Sequence, residues 1–350
     1  MKYLTFALPS QPSDLRLGAL AGEAVIDLAQ ARTWAQGARG IPAEPIPESL
    51  MELIYAGSAT WEYARELFAS LRGQDPTRLK SANRLPVGYP LSQVRLYPPL
   101  PRPGSLRDFY GFETHVRNAY AIRGRDVPPE WFHFPVFYFT NPNSIYSPDG
   151  MVPYPEYTNA LDFELEIACV IGKPGIDIAS EGAVEYIFGF TIFNDWSARD
   201  VQKLEMRVGL GPAKGKDFAS SLGPWIVTPD ELADRSDSRP GVYDLEMFAR
   251  VNGDQKSHGN WKDIHYSFGE MIARASEGTY LLPGDVLGSG TVGTGCLLEL
   301  TRGEGPWLQP GDRVELEIER LGILSNRVAY PQSSHAPQRV ASTKSVVNDE

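Results

Sequence analysis

The chain has 350 residues, 42% hydrophobic and 22% charged, enough for one large domain plus a smaller one and too ordinary for a disordered or fibrous class. Its formal net charge is -11 and no Lys/Arg block interrupts it, which argues against nucleic acid or an acidic membrane surface as a partner. No apolar run is long enough to span a bilayer, and Cys169 and Cys296 lie far apart inside apolar runs, so a cytoplasmic, reducing home is the expectation.

Residues 1–85 read as a small α+β N-terminal domain. KYLTFAL and LRLGALAGEAVIDL form a hairpin-like pattern with a turn signal at Gly22, and two helical patterns follow. The first, IPESLMELIYAG, has Ser49 as N-cap and Gly57 as stop; the second, ATWEYARELFASLRG, ends at Gly73. Residues 86–106 are proline-rich, which suits an extended linker rather than a sheet interior.

Residues 107–331 read as a mostly β domain. Its short β-like runs include ELEIACVIG, YIFGFTIFND, GPWIVT, LEMFARVNG, DVLGSGTVG, CLLELTR and RVELEIERLG, and YSFGEMIARASEG is the clearest helical pattern. Residues 332–350 form a polar tail without periodicity.

In LDFELEIACVIG, Glu164 and Glu166 stand two residues apart, so strand alternation puts both carboxylates on one face. The opposite positions, Phe163, Leu165 and Ile167, are apolar. Asp195 ends the run YIFGFTIFND, and Asp108 precedes Phe109 and Tyr110, which offers two more oxygen donors. Such hard donors without cysteine point to magnesium, manganese or calcium rather than zinc. From spacing alone, two solvent-facing acids on a half-exposed strand remain the commoner alternative, because ExE is a weak motif.

NDWSARDVQKLEM, GKDF and LGPWIVT, read with DFYGFETH upstream and GSGTVG and GCLLEL downstream, resemble the fumarylacetoacetate hydrolase family in that family's order. The resemblance implies a mixed β-roll catalytic domain, a homodimer formed through it, and one divalent ion. It implies metal ligands at Glu164, Glu166 and Asp195, with Asp108 as a fourth. It also implies a catalytic histidine at His115 oriented by Glu299, a catalytic lysine at Lys216, and substrate contacts at Tyr110, Tyr138, Arg199, Gln202 and Thr291. Gly111 and Phe112 replace small polar residues of the founding enzyme, and one residue is inserted between Gln202 and Lys216, which leaves substrate identity open. The other histidines, including His335, are read as structural.

The chemistry implied is cleavage of a carbon-carbon bond in an acylpyruvate or fumarylacetoacetate-like β-dicarbonyl acid, in the breakdown of an aromatic compound. A chelated oxo-acid would be polarised by the ion, and His115 would take a proton from water. Decarboxylation, isomerisation or hydration of an unsaturated 2-oxo-diacid on the same metal is one alternative, and a non-catalytic oxo-acid-binding dimer is another. The polar segment from His115 to Trp131 reads as a lid.

Overall fold

The structure is a computed structural model that describes residues 1–42 and 44–330; the tail expected at 332–350, with His335, lies outside the described residues. The fold is α+β and mostly β.

Local chemistry explains the first elements. Ser49 forms a capping box with Glu52 at the start of helix Leu50–Ala56, and Gly57, at φ 81°, ends it and opens helix Ser58–Ser70. Helix Leu28–Arg39, capped by Asp27, is absent from the sequence reading. It buries only Leu28, Ala31 and Ala35, so its apolar stripe has little contrast.

Among the described residues the main sheet has 12 strands, and it does not stop at the proline-rich segment. Strand Lys2–Leu8 pairs antiparallel with Ser220–Val227, Lys2 facing Val227 and Tyr3 facing Ile226. The segment read as a linker contributes two short strands, Gly88–Pro90 on Ala24–Asp27 and Arg95–Tyr97 on Lys2–Leu8. Gly88–Pro90 is the last strand on its side of the sheet, where proline is tolerated.

The centre of this sheet runs Ser220–Val227, Ile187–Asp195, Leu165–Ile171, Val286–Gly288, Leu106–Phe109 and Phe137–Phe139. Leu165, Ile167, Cys169 and Ile171 pack into one core with Met247, Leu316 and Ile318 of a second, five-stranded sheet. Ala168 and Val170 face the opposite way, towards a core with Tyr3, Trp61 and Phe188. Burial on both faces is why ELEIACVI reads as a nearly continuous apolar run.

Three expectations need correction. CLLEL, read as a strand, is the short helix Leu297–Leu300. Helices Glu113–Ile122 and Arg199–Val208 join the expected Phe268–Ser276; Arg199–Val208 carries Val201, Leu204 and Val208 at helical spacing but buries only Arg199, leaving Leu204 and Val208 exposed. The segment read as a lid begins as a helix that buries His115, Val116 and Ala119 and ends with buried Trp131. Only its middle, from Arg123 to Asp126, is exposed throughout.

Candidate active site

Neighbouring strands bring the acids into one row. Asp108 sits opposite Gly288 on one side and Tyr138 on the other. Glu166 sits opposite Phe193, and Glu164 immediately precedes the same strand with its N–H donated to the Asn194 side chain. Asp195 ends the next strand. Carboxylate oxygens of Asp108, Glu164 and Glu166 lie within 4.8 Å of one another. The GSG turn allows this approach. A Cβ at Gly288 would lie 2.5 Å from an Asp108 oxygen, and one at Gly290, at φ 77°, would lie 2.5 Å from the Phe109 carbonyl. The Gly290 N–H donates to Asp108 at 3.2 Å and to Glu166 at 3.0 Å.

All four acids are buried, and their charges are held unequally. Burial pushes Glu164 up, but Lys216 and Arg199 outweigh it and hold this carboxyl well below the usual range. Lys216 Nζ lies 2.5 Å from Glu164 Oε2 and 2.7 Å from Asp195 Oδ2. Burial would lower the lysine, but the two carboxylates raise it, so it stays a cation. Asp108 is pushed up by burial and by Asp195. Glu166 is pushed up by burial and by Asp108, and Asp195 chiefly by burial. Asp195 accepts from the Tyr138 hydroxyl through Oδ2, while its Oδ1 is buried with no partner among the described residues. Clustered hard oxygens, an orphaned carboxylate oxygen and too little positive charge fit a divalent cation held by Asp108, Glu164, Glu166 and Asp195.

Beside this row stands a histidine-carboxylate pair. His115 Nδ1 lies 2.5 Å from Glu299 Oε1, and the other Glu299 oxygen accepts the Thr294 N–H. A carboxylate on Nδ1 fixes the tautomer and leaves Nε2 as the free base. The Tyr110 ring meets the imidazole edge-on at 5.2 Å. Arg199 stands 2.8 Å from Glu164 Oε1 and donates to Gln202 Oε1 at 3.1 Å. Thr291 Oγ1 lies 3.4 Å from Glu166.

These groups open into a cleft of about 350 Å³ that takes in His115, Tyr110, Tyr138, Arg199, Gln202, Lys216 and Thr291. Of the expected residues, Asp195 and Glu299 alone stand behind its wall. Its outer part is apolar, with Val136, Met206, Leu210 and Leu298, and it carries Arg123. Sequence reasoning missed these wall residues, which no motif marks. It also missed Asp162, a buried carboxylate bonded to Arg199 Nε at 2.8 Å; an aspartate in the apolar run ALDFELEIAC was the available signal.

Known proteins share this arrangement of chain. Fumarylacetoacetase of Bos taurus is 30% identical over 356 residues, covering 86% of this chain and 84% of that protein. Oxaloacetate tautomerase YisK of Bacillus subtilis is 30% identical over 289 residues, covering 81% and 88%. A solved structure of 2-hydroxyhepta-2,4-diene-1,7-dioate isomerase from Mycobacterium marinum superposes with a TM-score of 0.60 at 26% identity, covering 94% of this chain and 98% of the other. The family profile described as Fumarylacetoacetate (FAA) hydrolase C-terminal matches residues 105–329, and with a 30% identical relative over most of its length the chain belongs to the fumarylacetoacetate hydrolase family.

Proposed function

We propose that this protein hydrolyses a carbon-carbon bond in an acylpyruvate or fumarylacetoacetate-like β-dicarbonyl acid, using one divalent ion on Asp108, Glu164, Glu166 and Asp195. The observation that carries the reading is the His115–Glu299 pair at 2.5 Å beside the acid row. Isomerisation on the same acids has no need of a base for water. Magnesium is the ion we favour, with manganese or calcium as substitutes, and we place the enzyme in the cytoplasm as a homodimer.

When bound, the ion supplies a Lewis acid for the two oxygens of a chelating oxo-acid. His115 Nε2 takes a proton from water as the oxygen attacks the acyl carbonyl, and Glu299 stabilises the imidazolium. The bond between the acyl carbon and the neighbouring methylene carbon then breaks, and its electron pair passes into the enolate of pyruvate. Lys216, kept cationic by Glu164 and Asp195, offsets that charge. His115 returns its proton to the leaving carbon, so the products are a carboxylic acid and pyruvate. Tyr110, Tyr138, Arg199, Gln202 and Thr291 orient the substrate, and the apolar outer wall receives the acyl chain.

The test is loss of ultraviolet absorbance from a panel of acylpyruvates and oxaloacetate in magnesium or manganese, with a chelator control. Release of pyruvate and a free acid, stopped by the chelator, is the expected result. Carbon dioxide from oxaloacetate alone would make the protein a decarboxylase, enol-keto exchange alone a tautomerase, and binding without any product a non-catalytic oxo-acid receptor.

A further inference from the structure

Asp162 is a buried carboxylate with no part in the chemistry above. It lies in the short strand Leu161–Asp162, which pairs with Ser197–Ala198 at the start of the Arg199 helix. Its Oδ1 accepts the N–H groups of Phe163 and Leu297, both at 2.8 Å. Its Oδ2 accepts Leu298 N–H at 3.0 Å and Arg199 Nε at 2.8 Å.

These partners belong to two different arms of the site. Leu297 and Leu298 open the helix Leu297–Leu300, which carries Glu299 and through it His115. That helix is a single turn, and its N-cap, Cys296, makes no side-chain cap bond. A turn this short has no stability of its own, so its orphan N–H groups depend on the carboxylate that reaches them from outside. On the other arm, Asp162 at Nε and Gln202 at Nη1 fix the plane of the Arg199 guanidinium, whose Nη2 has no well-aligned hydrogen bond.

We propose that Asp162 is a positioning residue that clasps the helix bearing Glu299 to Arg199, so that the base pair and the substrate-side guanidinium keep one fixed spacing. The proposal rests on the reading above for the roles of His115 and Arg199. The isosteric change Asp162→Asn isolates it. Asparagine has one acceptor oxygen and one NH2 donor, and whichever way it turns, the NH2 confronts two N–H donors: those of Phe163 and Leu297 at the Oδ1 position, or those of Leu298 and Arg199 at the Oδ2 position. No cavity is made, yet in either orientation the start of the Glu299 helix loses one of its two bonds to residue 162.

The experiment uses the full chain with ¹⁵N-labelled histidine. The low-field Nδ1–H signal of His115, assigned by its loss in His115→Gln, requires no substrate. In Asp162→Asn the expected result is a shifted or exchange-broadened His115 signal, with manganese uptake by electron paramagnetic resonance within a few-fold of wild type. On an acylpyruvate that the wild type cleaves, kcat falls about 10–100-fold. In a Glu299→Gln background the same change adds less than about threefold, because the two residues act along one chain. An unchanged His115 signal, or losses that multiply fully with Glu299→Gln, overturns the proposal. Should the asparagine variant not fold, Asp162→Glu, which keeps the charge and displaces it, must move the His115 signal in the same manner, and a wild-type signal there overturns it equally. If no acylpyruvate is turned over, the imidazole signal still decides, so failure of the clasp and failure of the hydrolase reading are separable.

Discussion

Replacing Glu166 by glutamine separates the electrostatic cost of the acid row from its use. Two carboxylates within 4.8 Å of one another repel by about 3 kcal/mol at an effective dielectric of ~20. Without a cation, burial and repulsion within the row raise both Asp108 and Glu166, which favours a proton held between these two carboxyls. A glutamine at 166 keeps an acceptor for the Gly290 N–H and presents its NH2 to Asp108, so it reproduces that protonated state permanently. The sign with pH follows. Carboxyls raised in the native state hold protons that the unfolded chain has already released, so the cation-free protein loses stability as the pH climbs from the ordinary carboxylate range, about 4, through the raised values. Glu166→Gln removes one of these groups, and its advantage grows over the same interval. In chelator at pH 8 the variant should be more stable than wild type by about 1–3 kcal/mol, the upper end being the full pair repulsion, and the gap should close near pH 4. Magnesium at a hundredfold above its Kd should stabilise wild type by about 2.7 kcal/mol and the variant far less. Urea unfolding followed by tryptophan fluorescence, with and without magnesium, measures all four states. A variant less stable than wild type in chelator at pH 8, or one that magnesium stabilises equally, would refute this account of the row.

Glu164→Ala should abolish uptake of magnesium and manganese by titration calorimetry, and it leaves Lys216 and Arg199 short of a partner, so its melting temperature should fall as well. His115→Ala should bind the ion with wild-type affinity and lose about 10²–10⁴-fold in kcat; loss of metal binding in this variant would place His115 in the wrong role. Gly290→Ala forces a Cβ against the Phe109 carbonyl at positive φ, with an expected cost of about 1–3 kcal/mol and weaker metal uptake, since the N–H shared by Asp108 and Glu166 must move. Unchanged metal affinity in Gly290→Ala would show that this N–H does not shape the row.

The legible parts of the chain were those whose signal is local. Ser49, Gly57 and the alternating run that became Arg313–Ile318 announce themselves by caps and period, and the run that became Ile187–Asp195 by its continuous apolar character. The acid pair was legible only in part: its spacing put both carboxylates on one strand face, but that alone favoured two solvent-facing acids, and it took the resemblance of the surrounding motifs to read them as metal ligands. CLLEL was not legible. Its apolar residues fit a strand equally well, and it is a helix because Asp162, far away in sequence, caps it. Helix Arg199–Val208 went unread although Val201, Leu204 and Val208 stand at helical spacing, because charged residues dominate the segment and its apolar stripe is not buried in a core. The pairing of Lys2–Leu8 with Ser220–Val227 is a contact across more than half the chain, and no window of sequence contains both partners.

The distribution of charge also bears on which side of the row the proposed ion would serve. Lys216 and Arg199 both reach Glu164, and that carboxyl alone among the four is held below its ordinary range. Asp108 and Glu166 have no cationic side chain in contact among the described residues, and their nearest polar donors are the Gly290 N–H and the Thr291 hydroxyl. The deficit therefore lies on the Asp108–Glu166 side, and the unpartnered Asp195 Oδ1 adds to it. A fold needing only structural balance would place a third lysine or arginine there, because a permanent cation costs no dependence on an external ion. On the proposed reading a small divalent ion would fill the gap and would supply Lewis-acid chemistry beside Lys216 and His115, which share the cleft. An arginine or lysine introduced at Thr291 would fill the deficit. It should raise the melting temperature in chelator, remove the response to magnesium and stop turnover; a variant that gained stability and still bound the ion would show that the deficit lies elsewhere.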